Sequence, residues 1–344
     1  MHIVHALFTP GLGGLEEAYV HTTRALVSQG YQVSILCHPD SPHRLTLERM
    51  GCAVYTSAPR GFYDLIRAWK IRKLLLTLKP DVIIAHNARA ITLLTLAARG
   101  MNIPVCGVSH SYKTARTMRA DHLVVVTEHM RNHFIQAGFP ANRLTVIPNF
   151  IDLPERYVPK PRKRPVVIGV MGRFTPEKGM LEFLKSLQGL QQLKVPFHAV
   201  IAGDGEQAQM LYNFASANGL TPHITWMGWV TVKALFYESV DIVCIPSLEE
   251  SFGLVVLEAL AHGIPVVATD TFGPASIISH GLNGLIVGRG DARAMAVAVQ
   301  QLVDHPEKAK HLVEAGWIRV QDFGFKKVAG RWDTALKSIV SGSA

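Results

Sequence analysis

Short apolar, β-branched runs alternate with helix-spaced segments along almost the whole chain, and this alternation limits the fold more than any single motif. Strand-like runs fall at 2–8, 32–37, 53–56, 81–85, 104–109, 122–126 and 144–147, and again at 166–171, 198–202, 223–226, 241–245, 265–268 and 284–287. Strands separated by helices pair in parallel through crossovers, so each series predicts a doubly wound α/β sheet with helices on both faces. Between the series lies Pro159-Lys160-Pro161-Arg162-Lys163-Arg164-Pro165, a proline-rich basic segment with the composition of a linker. The expected domains are 1–158 and 159–321, facing one another across a cleft. A final helical stretch from Asp322 to about Ile339 is positioned to pack back on the first domain.

Composition narrows the class. Hydrophobic residues make up 48% and charged residues 18% of the 344, which argues for well-buried globular domains and against disorder. Cys37, Cys52, Cys106 and Cys244 are scattered in apolar runs without metal-ligand spacing and read as reduced core thiols of a cytosolic protein. The start, Met1 to Phe8, is strand-like and does not resemble a signal peptide. Nowhere do the roughly 18 uninterrupted apolar residues of a membrane span occur. The net charge of +9 is concentrated in the first half: 18 Lys and Arg face 10 Asp and Glu through residue 160, against 17 and 16 afterwards. A basic face suits nucleic acid, an anionic bilayer or a phosphorylated substrate. No nucleic-acid motif accompanies it, which disfavours the first.

Candidate site residues gather where strands run into helices, the place open α/β sheets bind ligands. Gly13 and Gly14, in a glycine-rich turn after the first strand, let backbone amides approach a phosphate, or simply make a tight turn; the third glycine of the dinucleotide fingerprint is missing. In Gly172-Arg173-Phe174-Thr175-Pro176-Glu177-Lys178-Gly179, Pro176 suits a helix's first turn, and Arg173 and Lys178 are two cations placed to hold a diphosphate. Gly203-Asp204-Gly205 repeats the strand-end plan, with Asp204 reading as a turn or cap residue. Gly228 could bring main chain against a nucleobase next to Trp229 and Val230, unless Trp229 is core. Glu250 and Glu258 flank a strand-to-helix turn, Ser251-Phe252-Gly253-Leu254, and carboxylates accept hydrogen bonds from paired sugar hydroxyls; Glu258 also reads as an ordinary helix acid. His110 stands out among sixteen histidines only by its strand-end position. The segment Arg60–Lys79 reads as an amphipathic helix with Arg67, Lys70, Arg72, Lys73 and Lys79 beside Phe62, Trp69 and leucines. It suits an anionic membrane surface, or packs its apolar face on the sheet and leaves its charges solvated.

In this order the motifs resemble the retaining glycosyltransferases of family 4. The resemblance rests on Gly13-Gly14-Leu15-Glu16, Val146-Ile147-Pro148-Asn149-Phe150-Ile151-Asp152, Gly172-Arg173-Phe174 through Lys178-Gly179, Gly203-Asp204-Gly205, and Glu250-Ser251-Phe252-Gly253-Leu254 through Glu258-Ala259. It implies the GT-B fold, two Rossmann-like domains facing a central cleft, with acceptor bound by the first and nucleotide-sugar by the second. Arg173 and Lys178 would then bind the donor diphosphate, and Glu250 with the amides of Phe252 to Leu254 the transferred sugar. Glu258 would hold the ribose, the Gly13-Gly14 loop would close over the diphosphate, and His110 would lie near the anomeric carbon. The implied reaction is front-face transfer from a nucleotide-diphosphate sugar, UDP favoured, to a glycan or glycolipid, in lipopolysaccharide or other cell-envelope synthesis. It would need no metal or other cofactor and would proceed in the cytoplasm or peripherally on the membrane's inner face. An epimerase or hydrolase on the same fold is the competing expectation, and a basic nucleic-acid-binding protein a remote one.

Overall fold

The alternation folds into two sheets in which every strand pairing is parallel. In the computed structural model, which describes residues 1–157 and 164–342, one unit comprises Met1–Ile151 with Gly324–Ala344 and the other Asp152–Phe323. The proline-rich basic segment lies mainly outside the described residues.

The first unit holds β1 (His2–Leu7), α1 (Gly14–Ser28), β2 (Gln32–Cys37), α2 (Arg44–Arg49), β3 (Ala53–Thr56), α3 (Leu65–Leu78), β4 (Val82–His86), α4 (Asn87–Ala97), β5 (Val105–Ser109), β6 (His122–Val125), α5 (Glu128–Gln136) and β7 (Leu144–Val146). The second holds β8 (Val166–Met171), α6 (Met180–Gln192), β9 (Phe197–Ala202), α7 (Ala208–Ala217), β10 (Ile224–Gly228), α8 (Lys233–Ser239), β11 (Ile242–Ile245), α9 (Leu254–Ala261), β12 (Val266–Thr269), α10 (Phe272–Ile277), β13 (Leu285–Val287), α11 (Ala292–Asp304) and α12 (Pro306–Val320). The chain ends in α13 (Phe325–Ser341).

The strand orders are β3-β2-β1-β4-β5-β6-β7 and β10-β9-β8-β11-β12-β13. Each reverses direction of winding once, between β1 and β4 and between β8 and β11, so each is a Rossmann-like sheet with one topological switch point. The central strands are apolar at nearly every position because both faces are covered by helices: β4 and β11 are buried throughout. In the first unit, Val328, Trp332 and Leu336 of α13 join Ile3, Leu26 and Ile84 in one core, so the last helix completes a core that starts with the first strand. Phe325 N donates to Ile151 O at 3.1 Å where the chain re-enters this unit.

Two boundaries differ from the sequence reading. Pro176 opens a 3-10 turn, Pro176–Lys178, and not the helix, because Gly179 adopts φ 65° and breaks the spiral before α6. A Cβ on Gly179 would come within 2.0 Å of Pro246 O, so only glycine fits. The basic helix starts at Leu65 and not at Arg60, because the Asp64 side chain accepts from Arg67 N and caps it there.

Candidate active site

At the second sheet's switch point, the connections leaving β8 and β11 meet. Leu248 N and Glu249 N both donate to Glu177 O, which ties the turn after β11 to the 3-10 turn after β8. Their side chains then converge: Lys178 Nζ donates to Glu250 Oε2 at 2.6 Å, with both side chains less than a quarter exposed. Gly273 N donates to Glu250 O and fixes the acid's main chain. A Cβ on Gly273 would fall 2.4 Å from Phe252 N, so the 251–254 turn lies flat against the start of α10. Gly253, at φ 94°, leads into α9, whose first amides point out of the helix without internal partners. Phe252 is buried beneath and Ser251 is partly open to solvent.

Arg173 lies five residues before Lys178, and 56% of its side chain is exposed; its guanidinium is 3.5 Å from Glu177 Oε1. Phe174, next to it, is buried, and its N–H donates to Asp204 O, holding the turn after β8 against the turn after β9. Gly203 permits that approach: at φ 138° a Cβ would lie 1.8 Å from Gly172 O. Asp204 accepts from Gly205 N and serves as a turn residue. Trp229 is 44% exposed, which excludes the core reading; the tryptophan that packs is Trp226, against Phe174 and Tyr212. Val230 is partly exposed beside it.

Glu258 carries two partners that no spacing rule reveals. Lys233 Nζ donates to its Oε1 and Tyr237 OH to its Oε2, each at 2.6 Å. His262 stacks on Tyr237 with ring centroids 4.6 Å apart. The acid is therefore no solvated helix residue but the centre of a hydrogen-bonded cluster. Lys233 and Tyr237 lie one helical turn apart on α8, a signal visible only once that helix is known to face α9.

In the first unit the glycine turn also departs from a simple phosphate cradle. Gly13 caps α1, and Glu16, buried, folds its carboxylate back under the turn, where Thr9 Oγ1 donates to it at 2.7 Å. A Cβ on Gly11 or Gly13 would meet that carboxylate at 2.8 or 3.2 Å. The glycines here make room for an acid, and main-chain amides at Gly13 and Gly14 remain the donors available to an anion.

His110 lies at the end of β5, and its Nε2 is 3.1 Å from Nδ1 of His86, which closes β4. His86 in turn packs edge-on against His5 and Tyr19, all three fully buried. Burial pushes His110 down to about 4 and His5 down to about 3, and holds His86 well below its ordinary value. The imidazoles are thus neutral at pH 7. His86 Nε2 has no hydrogen-bond partner among the described residues. A bare lone pair there is better tolerated than a buried N–H, so the tautomer that fits has His86 Nδ1–H donating to His110 Nε2.

The four cysteines are buried and unpaired, with the Cys106 thiol pushed up to about 12 by burial. Among the described residues no helix is long and apolar enough to cross a membrane, and no group of three or more His, Cys, Asp or Glu is arranged to hold a metal ion.

Comparison with known proteins gives two adjoining matches. The model for glycosyl transferases group 1 matches residues 155–317, and that for Glycosyltransferase Family 4 matches residues 12–155. Among relatives, the lipopolysaccharide core biosynthesis glycosyltransferase LpsE of Rhizobium meliloti is 28% identical over 313 residues, spanning 88% of this chain and 89% of the relative. LpsD of the same organism is 26% identical and spans 92% of both. Among solved structures, Anabaena Alr3699/HepE in complex with UDP-glucose superposes with a TM-score of 0.86 at 21% identity, covering 98% of this chain and all of the other. The lipopolysaccharide outer core galactosyltransferase WaaB, in its apo form, gives 0.81 at 18% identity, covering 98% and 99%.

Proposed function

Because the chain belongs to the glycosyltransferases, its first half matching family 4 and its second half group 1, we propose that it is a retaining, metal-independent enzyme. It moves a hexose from a UDP-sugar to a glycan or glycolipid of the bacterial cell envelope, acting at the cytoplasmic face. The observation that carries this reading is the Lys178–Glu250 pair at the second sheet's switch point, with Arg173 on the same strand-to-helix connection as Lys178.

Lys178 and Arg173 are the cations that would stabilise the diphosphate as it departs, when its charge grows. Two cations there would do the work a divalent ion does elsewhere, and this supports the metal-independent reading. Glu250, held by Lys178, would accept a hydroxyl of the transferred sugar, and the amides from Phe252 to Leu254 would face the same group. Glu258, oriented by Lys233 and Tyr237, would accept the ribose hydroxyls, and Gly203, Trp229 and Val230 would border the base. His110, neutral, would offer a hydrogen bond to the sugar and not a positive charge. In the step itself the bond from the anomeric carbon to the UDP oxygen breaks, and the acceptor oxygen bonds to that carbon on the same face. The acceptor's proton passes to the departing phosphate oxygen.

Support for UDP comes from the fold-level likeness to HepE, solved with UDP-glucose, and support for an envelope acceptor from the naming of LpsE and LpsD. Lys178→Ala and Glu250→Ala should each lower transfer by about a hundredfold, close to 2.7 kcal/mol of transition-state stabilisation. Near wild-type turnover in either folded variant would refute the assignment. Titration of UDP-, GDP- and ADP-sugars, with detection of the released nucleoside diphosphate, identifies the donor. Activity that a chelator abolishes and Mn²⁺ restores would overturn metal independence.

A further inference from the structure

Between Asp81 and Asp121 the chain carries no acid but five cations: Arg89, Arg99, Lys113, Arg116 and Arg119 with no carboxylate among them. Three of these come together at the carboxyl edge of the first sheet. Arg116 stacks over the Phe62 ring at 3.8 Å, Arg89 lies 6.0 Å from the same ring, and Arg119 lies 5.3 Å from Tyr63. The loops that carry them are held in place. Asn87, at φ 69°, accepts from Arg89 N and Ala90 N with its side chain and so fixes the first turn of α4. Thr117 Oγ1 donates to Lys113 O and Met118 N to Thr114 O, which folds the segment bearing Arg116 and Arg119. Asp64, the one acid of the loop that supplies the rings, is engaged by Arg60 N and Arg67 N.

No ion pair neutralises Arg89, Arg116 or Arg119 among the described residues. Stacking uses the face of a guanidinium and leaves its in-plane N–H groups free, the geometry that takes a phosphate or carboxylate bidentately. Grouping three such cations costs mutual repulsion, which an anionic ligand relieves. His110 directly follows β5 on this same sheet edge, six residues before Arg116.

We propose that this arginine cluster on Phe62 and Tyr63 is the recognition site for an anionic group, phosphate or carboxylate, on the acceptor saccharide. This rests on the transferase reading above and adds the acceptor's chemistry to it. Two-dimensional spectra of protein labelled with ¹⁵N-arginine, recorded at side-chain Nε–Hε, provide the test, with mannose 6-phosphate, glucuronate and mannose as probes. The expected result is saturable perturbation of the Arg89, Arg116 and Arg119 signals by the sugar phosphate, the glucuronate or both, which also identifies the anion, and none by mannose. In R116Q/R119Q the response should weaken by about tenfold, while UDP-sugar binding stays unchanged. An equal response to mannose, or an undiminished one in the double variant, would overturn the proposal. A response to phosphatidylglycerol vesicles with none to the charged sugars would assign the cluster to a bilayer surface and overturn it as well. If the wild-type protein binds no nucleotide sugar, the transferase reading fails; if it binds one and the arginines ignore the charged sugars, this proposal alone fails.

Discussion

His5 is fully buried in β1 with its Nδ1 2.9 Å from Thr23 Oγ1, and burial keeps its ring neutral down to about pH 3. An unfolded chain takes up that proton near the ordinary value of 6.5, so the folded-state value is the lower one. The stabilisation is therefore complete above about pH 7 and is lost as pH falls from 6.5 toward 3. Between pH 7 and 5 the His5 contribution amounts to about 2 kcal/mol of unfolding free energy, and His86 acts in the same direction. Denaturant titrations at the two pH values should show this loss, and His5→Asn, which keeps a donor for Thr23, should reduce it. A stability unchanged between pH 7 and 5 would contradict the neutral buried histidines. At this scale the sequence was only partly legible. Glu250 and Lys178 could be named from their strand-end positions, but their 2.6 Å contact joins residues 72 apart and needs the switch point to bring them together. Likewise Lys233 and Tyr237 around Glu258, and His86 behind His110, are partners chosen by packing, and no local pattern marks them.

The helix α3 shows how an element can be recognised while its role stays open. Ala68, Ile71 and Leu75 are buried and Arg72 donates to Ala97 O and Arg99 O, so one face packs as any helix on a sheet does. Yet Leu65, Ile66, Trp69 and Leu76 are each more than half exposed, with Lys70 and Lys73 among them and Lys73 Nζ over the Trp69 ring at 3.7 Å. The buried stripe is the packing that one reading of the sequence expected; the outer surface is apolar and basic, and the membrane reading of it is a proposal. Co-sedimentation with phosphatidylglycerol vesicles should be retained, and it should drop severalfold in L65S/W69S or when Lys70 and Lys73 are neutralised. Equal binding to neutral phosphatidylcholine vesicles would sink the membrane role. The turn after β9 makes a second claim at this scale. Gly203→Ala would force a Cβ onto Gly172 O and should destabilise the second unit by at least about 2 kcal/mol. Unaltered thermal unfolding would show that the turn can shift.

Across the molecule, the legible part was the alternation itself. Parallel sheets covered on both faces demand continuous apolar strands, so every strand could be placed to within a residue or two, and the sheets follow from them. Helix starts were less legible because they are set by single residues, such as Gly179 and Asp64, whose effect depends on geometry and not on hydropathy. The two sheets carry different chemistry: acids paired with lysines beside the second, and at the edge of the first, neutral histidines and arginines that have no ion pair among the described residues. The proposed assignment of the donor to the second unit and the acceptor to the first rests on that division. The central claim, retaining transfer from a nucleotide sugar, is tested most directly without knowing the acceptor, by proton NMR of the slow release of sugar to water from an α-linked UDP-hexose. The account predicts that the α-anomer appears first and the β-anomer only by mutarotation; the β-anomer appearing first would contradict it.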